Sequence, residues 1–75
     1  MLKKDIKIIK EVIQLERESG HIMYDLDDYE GDLITMADDL GLETIENEDG
    51  YTVIKNEKDR KRVEEMYNYY LENRG

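Results

Sequence analysis

The spacing of apolar residues along this 75-residue chain switches from a helical period to strict alternation and back, with a stop signal at each switch. Residues 3–19 read as a helix. Leu2, Ile6, Ile9 and Ile13 form one apolar stripe, Ile8, Val12 and Leu15 form a second, and Lys3, Lys7, Lys10 and Gln14 take the polar side. Ser19-Gly20 ends it, since glycine adopts the left-handed conformation that closes a last turn. Residues 22–26 then alternate, with Ile22, Tyr24 and Leu26 on one face and Met23 and Asp25 on the other, which predicts a short half-buried strand. Asp27, with Glu30 three residues on, reads as a capping box that opens a second helix. That helix runs to Leu40 and stops at Gly41, with Tyr29, Leu33, Met36, Ala37 and Leu40 on its apolar face. Residues 43–47 and 51–55 flank Glu48-Asp49-Gly50, an Asp-Gly hairpin signal. Asn56 caps a last helix over 57–73, whose buried face is Val63, Met66, Tyr67, Tyr70 and Leu71. The pairs Glu57–Lys61, Arg60–Glu64 and Lys61–Glu65 support it at four-residue spacing.

The expected fold is therefore α+β, a small single domain over residues 1–75 in the order α-β-α-β-β-α. Its sheet is three-stranded and mostly antiparallel (22–26, 43–47, 51–55). Aliphatic residues bound its stability: Ile, Leu and Val number 18 of 75, or 24%, with no Phe and no Trp. That is just above the range of disordered charged chains. A core of this size supplies only ~3–5 kcal/mol without a staple. Two apolar stripes on the first helix exceed what a thin sheet covers, so Ile8, Val12 and Leu15 are the expected contact of a homodimer.

Composition removes several chemistries. The chain has no cysteine, so disulfides, thiolate zinc and iron–sulfur centres are excluded. No apolar run approaches the ~18 residues of a membrane span, and the N-terminus lacks a signal-peptide core, so the expected setting is cytoplasmic. Ser19 and His21, the only serine and the only histidine, stand two residues apart and make no triad by themselves. The run from Asp25 to Asp32 looks like a calcium loop. Placing Gly31 at the sixth position, however, puts Leu26 first and Ala37 twelfth, both non-ligands. Asp25, Asp27, Asp28 and Glu30 remain at most a loose cation cluster, and neither a metal site nor a cofactor is expected. The glycines, at 20, 31, 41, 50 and 75, form no phosphate-binding loop.

Charge is the strongest functional signal. Residues 1–17 carry net +2, residues 55–75 carry net +1, and residues 18–54 carry twelve acids and no Lys or Arg, giving +2 − 12 + 1 = −9. A field of one sign concentrates partners of the other. On a helical wheel Asp28, Asp32 and Asp39 share a narrow arc. Their axial separations of ~6 and ~10 Å are comparable to phosphates a few nucleotides apart. Asp38 and Asp39 also stand at a helix C-terminus, which disfavours anions by ~0.3–1 kcal/mol each. Asp28, Asp32 and Asp39, supported by Glu30 and Asp38, are thus the expected partner-facing carboxylates.

Two resemblances bear on function. Helix, strand, helix and Asp-Gly hairpin, over residues 3–55, resemble part of a winged-helix domain, which implies a DNA-binding transcriptional regulator. The 14 or so residues between Asp27 and Gly41 are too few for the second and third helices of that fold. The helix that would enter the groove carries Asp32, Asp38 and Asp39 and no base, whereas DNA affinity needs one. In size and charge the chain is similar to small acidic phage and plasmid proteins that block host nucleases or polymerases, including some anti-CRISPR proteins. That likeness implies a non-enzymatic, DNA-mimic type of inhibitor or regulator with a basic protein partner. Direct nucleic-acid or membrane binding is not expected.

Overall fold

The computed structural model describes residues 1–74. Three helices and one hairpin follow in the order α1 (Lys3–Ser19), α2 (Tyr29–Asp39), β1 (Thr44–Glu46), β2 (Thr52–Ile54) and α3 (Glu57–Asn73). The architecture is α+β, as expected, but the sheet has two strands, not three, and the order is α-α-β-β-α.

The signals that work locally place their elements well. Gly20 closes α1 at φ 75°, and its N–H reaches the Glu16 carbonyl. Asn56 caps α3, its side chain accepting from the Lys58 N–H at 2.8 Å. The strands pair antiparallel, with Thr44 opposite Ile54, Ile45 opposite Val53 and Glu46 opposite Thr52. Gly50, at φ 84°, takes the left-handed position of a three-residue hairpin loop. Asn47 braces that loop through Oδ1, which accepts from the N–H groups of Asp49 and Tyr51. The cap of α2 shifts by one residue. Asp28, not Asp27, accepts from the Gly31 N–H at 3.0 Å. Of the three expected four-apart pairs in α3, Arg60–Glu64 forms, at 3.7 Å.

The missing strand is a correction with a clear cause. Residues 22–26 form a loop, and Leu26 sits at φ 67°, a left-handed conformation that no strand accommodates. The Asp25 and Leu26 N–H groups bond to the two oxygens of the Asp32 carboxylate, each at 3.0 Å. The Met23 N–H bonds to Glu16 at 2.9 Å. Donors that a sheet ladder would have satisfied are taken by side chains of the flanking helices. The alternation that suggested a strand still places Tyr24 inward, where it is buried.

α3 is the hub. It packs against α1 on one side and against α2 and β2 on the other, while α1 packs on no other element among the described residues. Val63, Met66, Tyr67 and Tyr70 of α3 are buried with Ile9 and Ile13 of α1, Leu33, Met36 and Ala37 of α2, and Ile54 of β2. Leu71, expected on the buried face, is 41% exposed. With six tyrosines and neither Phe nor Trp, the aromatic part of the core is tyrosine. Tyr24 meets Tyr67 and Tyr70 edge-on, with ring centroids 5.8 and 5.1 Å away, and Tyr29 meets Tyr67 at 5.6 Å. Edge contacts of this kind are worth ~0.5–1.5 kcal/mol each beyond area burial. No described helix is long and apolar enough to cross a membrane.

Candidate functional site

Buried tyrosines bring hydroxyls into a core that must then supply acceptors. Two carboxylates do so. Tyr67 donates to Asp32, and Tyr70 donates to Glu16 at 2.6 Å. The same two carboxylates hold the N–H groups of the 23–26 loop, so each ties α3, a second helix and the loop together. Burial, and after it the bond to Asp32, raises the Tyr67 phenol well above its ordinary range. Burial and the bond to Glu16 push Tyr70 up to about 12. Tyr24 rises too, chiefly through burial and then through the nearby charge of Asp39.

Two more acids clamp α3 through arginine. Asp5 is 1% exposed and accepts from Arg62 Nε and Nη2 at 3.0 and 2.8 Å. Glu30 accepts from Arg60 Nη1 and Nη2 at 2.9 and 2.7 Å. In each pair the hydrogen bonds outweigh desolvation and hold the carboxyl below the usual range. Planar two-point pairing of this sort is a strong arginine interaction.

The expected partner-facing row therefore does not exist as a row. Asp32 is 3% exposed and structural. At ~100° per residue it stands on the flank of the apolar face rather than opposite it, about 80° from the centre of that face. Its two-oxygen acceptor then pulls it inward to the loop. Asp28 is exposed but serves as the α2 cap, and Glu30 is exposed but engaged by Arg60. Asp38 and Asp39 are exposed, with no ion pair among the described residues.

Ile8 and Val12 are half-buried, and Leu15 is 57% exposed. α1 and α2 lean on α3 without meeting, and a cleft of about 190 Å³ opens between them. Ile8 and Val12 form one wall, Met36 and Leu40 the other, Met66 lies in the floor, and Met23 and Tyr24 complete the lining. Asp39 lines the same cleft. The sequence displays the α1 wall as a stripe; the opposite wall belongs to elements that only tertiary packing brings near.

Ser19 and His21 are both exposed, and the Ser19 hydroxyl oxygen accepts from the His21 backbone N–H at 3.2 Å, a local turn contact that leaves the imidazole unengaged by the serine. Among the described residues no three acidic or histidine side chains converge as a metal site, the Asp25–Glu30 cluster included. Comparison with protein-family models, with curated proteins and with solved structures gave no match to this chain.

Proposed function

We propose that this chain is a non-enzymatic binding protein, a regulator or inhibitor whose acidic middle segment engages a basic surface of a protein partner. The observation that carries the reading is how unevenly charge is satisfied. Of the twelve acids in residues 18–54, only Glu30 and Glu43 have a cation within ion-pair distance among the described residues. Asp25, Asp27, Asp38, Asp39, Glu46, Glu48 and Asp49 stay exposed and unpaired. Asp38 and Asp39 keep this state at a helix end whose dipole disfavours them. A basic partner would reverse that cost. A surface that normally holds nucleic acid is the natural counterpart, and Asp32, being buried, takes no part in the contact.

The DNA-binding alternative, which draws on Lys58, Arg60, Lys61 and Arg62 of α3, loses two of these four cations to the fold. Arg60 and Arg62, half of the basic cluster on α3, are held by Glu30 and Asp5, which leaves Lys58 and Lys61. Two lysines on a chain of net charge −9 make a poor phosphate-binding surface.

The test pairs affinity capture from the source cells with a gel shift. Immobilised wild type is expected to retain a basic protein that elutes as salt rises, because screening removes the long-range attraction. The Asp38→Lys, Asp39→Lys variant, still folded, is expected to lose it. Equal capture by both would remove this face from the function. A clear shift of random duplex DNA at ~50 mM salt, where nonspecific binding is strong, would overturn the reading in favour of a DNA-binding regulator.

A further inference from the structure

We infer that this chain exchanges α1 with a second copy of itself, with Gly20-His21-Ile22 as the hinge. α1 packs on α3 and on no other described element, so a single interface holds it. That interface is specific. Asp5 pairs with Arg62, Glu16 accepts from Tyr70, and Ile9 and Ile13 enter the core. The α1 of a second chain makes the same contacts in the same place, so an exchanged dimer loses none of them.

The hinge is what marks this helix for exchange. Residues 19–23 are all exposed. The turn that folds α1 back rests on Gly20 at φ 75°, whose N–H bonds to the Glu16 carbonyl, and on one bond from the His21 N–H to the Ser19 hydroxyl oxygen. Past the hinge the chain is fixed to the other half of the molecule. Tyr24 lies against Tyr67 and Tyr70, and the Asp25 and Leu26 N–H groups bond to Asp32. The crossing to a partner therefore reshapes only the few residues between Ser19 and Met23. A short, sharply reversed hinge of this kind invites swapping.

The hinge also lies where two chains of charge −9 meet at least cost. The concavity beside it is lined by Arg17, His21 and Arg74 and by one acid, Glu16, whose carboxylate already accepts from Tyr70 and from the Met23 N–H. Glu18, the other acid at this end of α1, accepts from Gln14. Arg17 and Arg74 have no ion pair among the described residues. Ile22 and Met23, 58% and 45% exposed, stand at the same junction and supply apolar surface for two hinges running side by side. The exchanged dimer carries two acidic middle segments, so concentration sets the valency of the surface that a partner meets.

Wild type and Gly20→Ala are refolded from urea at low and at high concentration and sized by light scattering. A Cβ at Gly20 meets nothing within 4 Å, so the substitution acts through φ alone. Alanine is strained in the closed hinge and relaxed in an extended one. With two hinges in each dimer, Gly20→Ala is expected to dimerise about tenfold to thirtyfold more tightly than wild type. Wild-type dimer is also prepared from ¹³C-labelled and unlabelled chains refolded together. NOEs filtered for pairs between chains are expected to join α1 methyls of one chain to α3 core side chains of the other. Wild type that stays monomeric at every concentration overturns the inference. So does a dimer whose α1–α3 contacts all lie within one chain, the mark of a side-by-side assembly. Inter-chain contacts with no gain from Gly20→Ala overturn the assignment of the hinge. None of these results bears on capture of a basic partner by Asp38 and Asp39, which is read separately.

Discussion

Individual side chains in this molecule are committed by hydrogen bonding more than by charge. Asp5 and Glu30 accept from Arg62 and Arg60, and Asp32 and Glu16 accept from buried tyrosines and loop N–H groups. The titration of Asp5, Glu30 and the buried tyrosines predicts a stability profile that narrows at both ends. The folded values of Asp5 and Glu30 lie below their ordinary 3.8 and 4.5. Their contribution is therefore present above those ordinary values and is lost as pH falls through the lowered ones. Tyr70 runs the other way. Its contribution is complete below its ordinary 10.0 and is lost as pH rises through about 12, and Tyr24 and Tyr67 act in the same sense. Circular dichroism across an alkaline titration should show helix loss coinciding with tyrosinate absorbance. Ionisation of Tyr67 and Tyr70 with helicity intact would contradict the assignment of their hydroxyls to the core.

Elements differ in how far local sequence determines them. At the start of α2, Gly31 lies against the capping carboxylate of Asp28, and a Cβ there would collide with it. Replacing a helical glycine by alanine ordinarily gains ~0.5–1 kcal/mol. Here Gly31→Ala should be close to neutral, because displacing the cap costs about 1 kcal/mol. In an Asp28→Ala background the same substitution should stabilise by about 1 kcal/mol. Urea unfolding of the four proteins in that cycle measures the coupling, and equal effects of Gly31→Ala in both backgrounds would exclude it. The hairpin and α3 were legible because Asn56, Asn47 and Asp49-Gly50 act within a few residues of themselves. The strand expected over 22–26 does not form: its alternation is real, but its backbone partners are the side chains of Glu16 and Asp32. The Asp32 carboxylate lies six to seven positions away, across a helix start. Likewise Ile8, Val12 and Leu15 were visible as a stripe, whereas Met36, Leu40 and Met66 face them only after α1 and α2 have docked on α3.

At the scale of the whole molecule, the acidic stretch divides into two populations. Asp32 and Glu30 build the fold around α3, and Asp28 caps α2; Asp38 and Asp39, with the loop and hairpin acids, remain free at the surface. The proposed partner contact draws only on the second population. If the acids were mere solvation, removing one negative charge anywhere in residues 18–54 would ease self-repulsion and leave stability equal or higher. The division is tested by urea unfolding of two variants with the same change in charge, Asp32→Asn and Asp39→Asn. Asp32→Asn should lose on the order of 2–3 kcal/mol, because an amide cannot accept from Asp25, Leu26 and Tyr67 as the carboxylate does. Asp39→Asn should unfold within about 0.5 kcal/mol of the wild type. Equal midpoints for the two variants, at or above that of the wild type, would contradict the account.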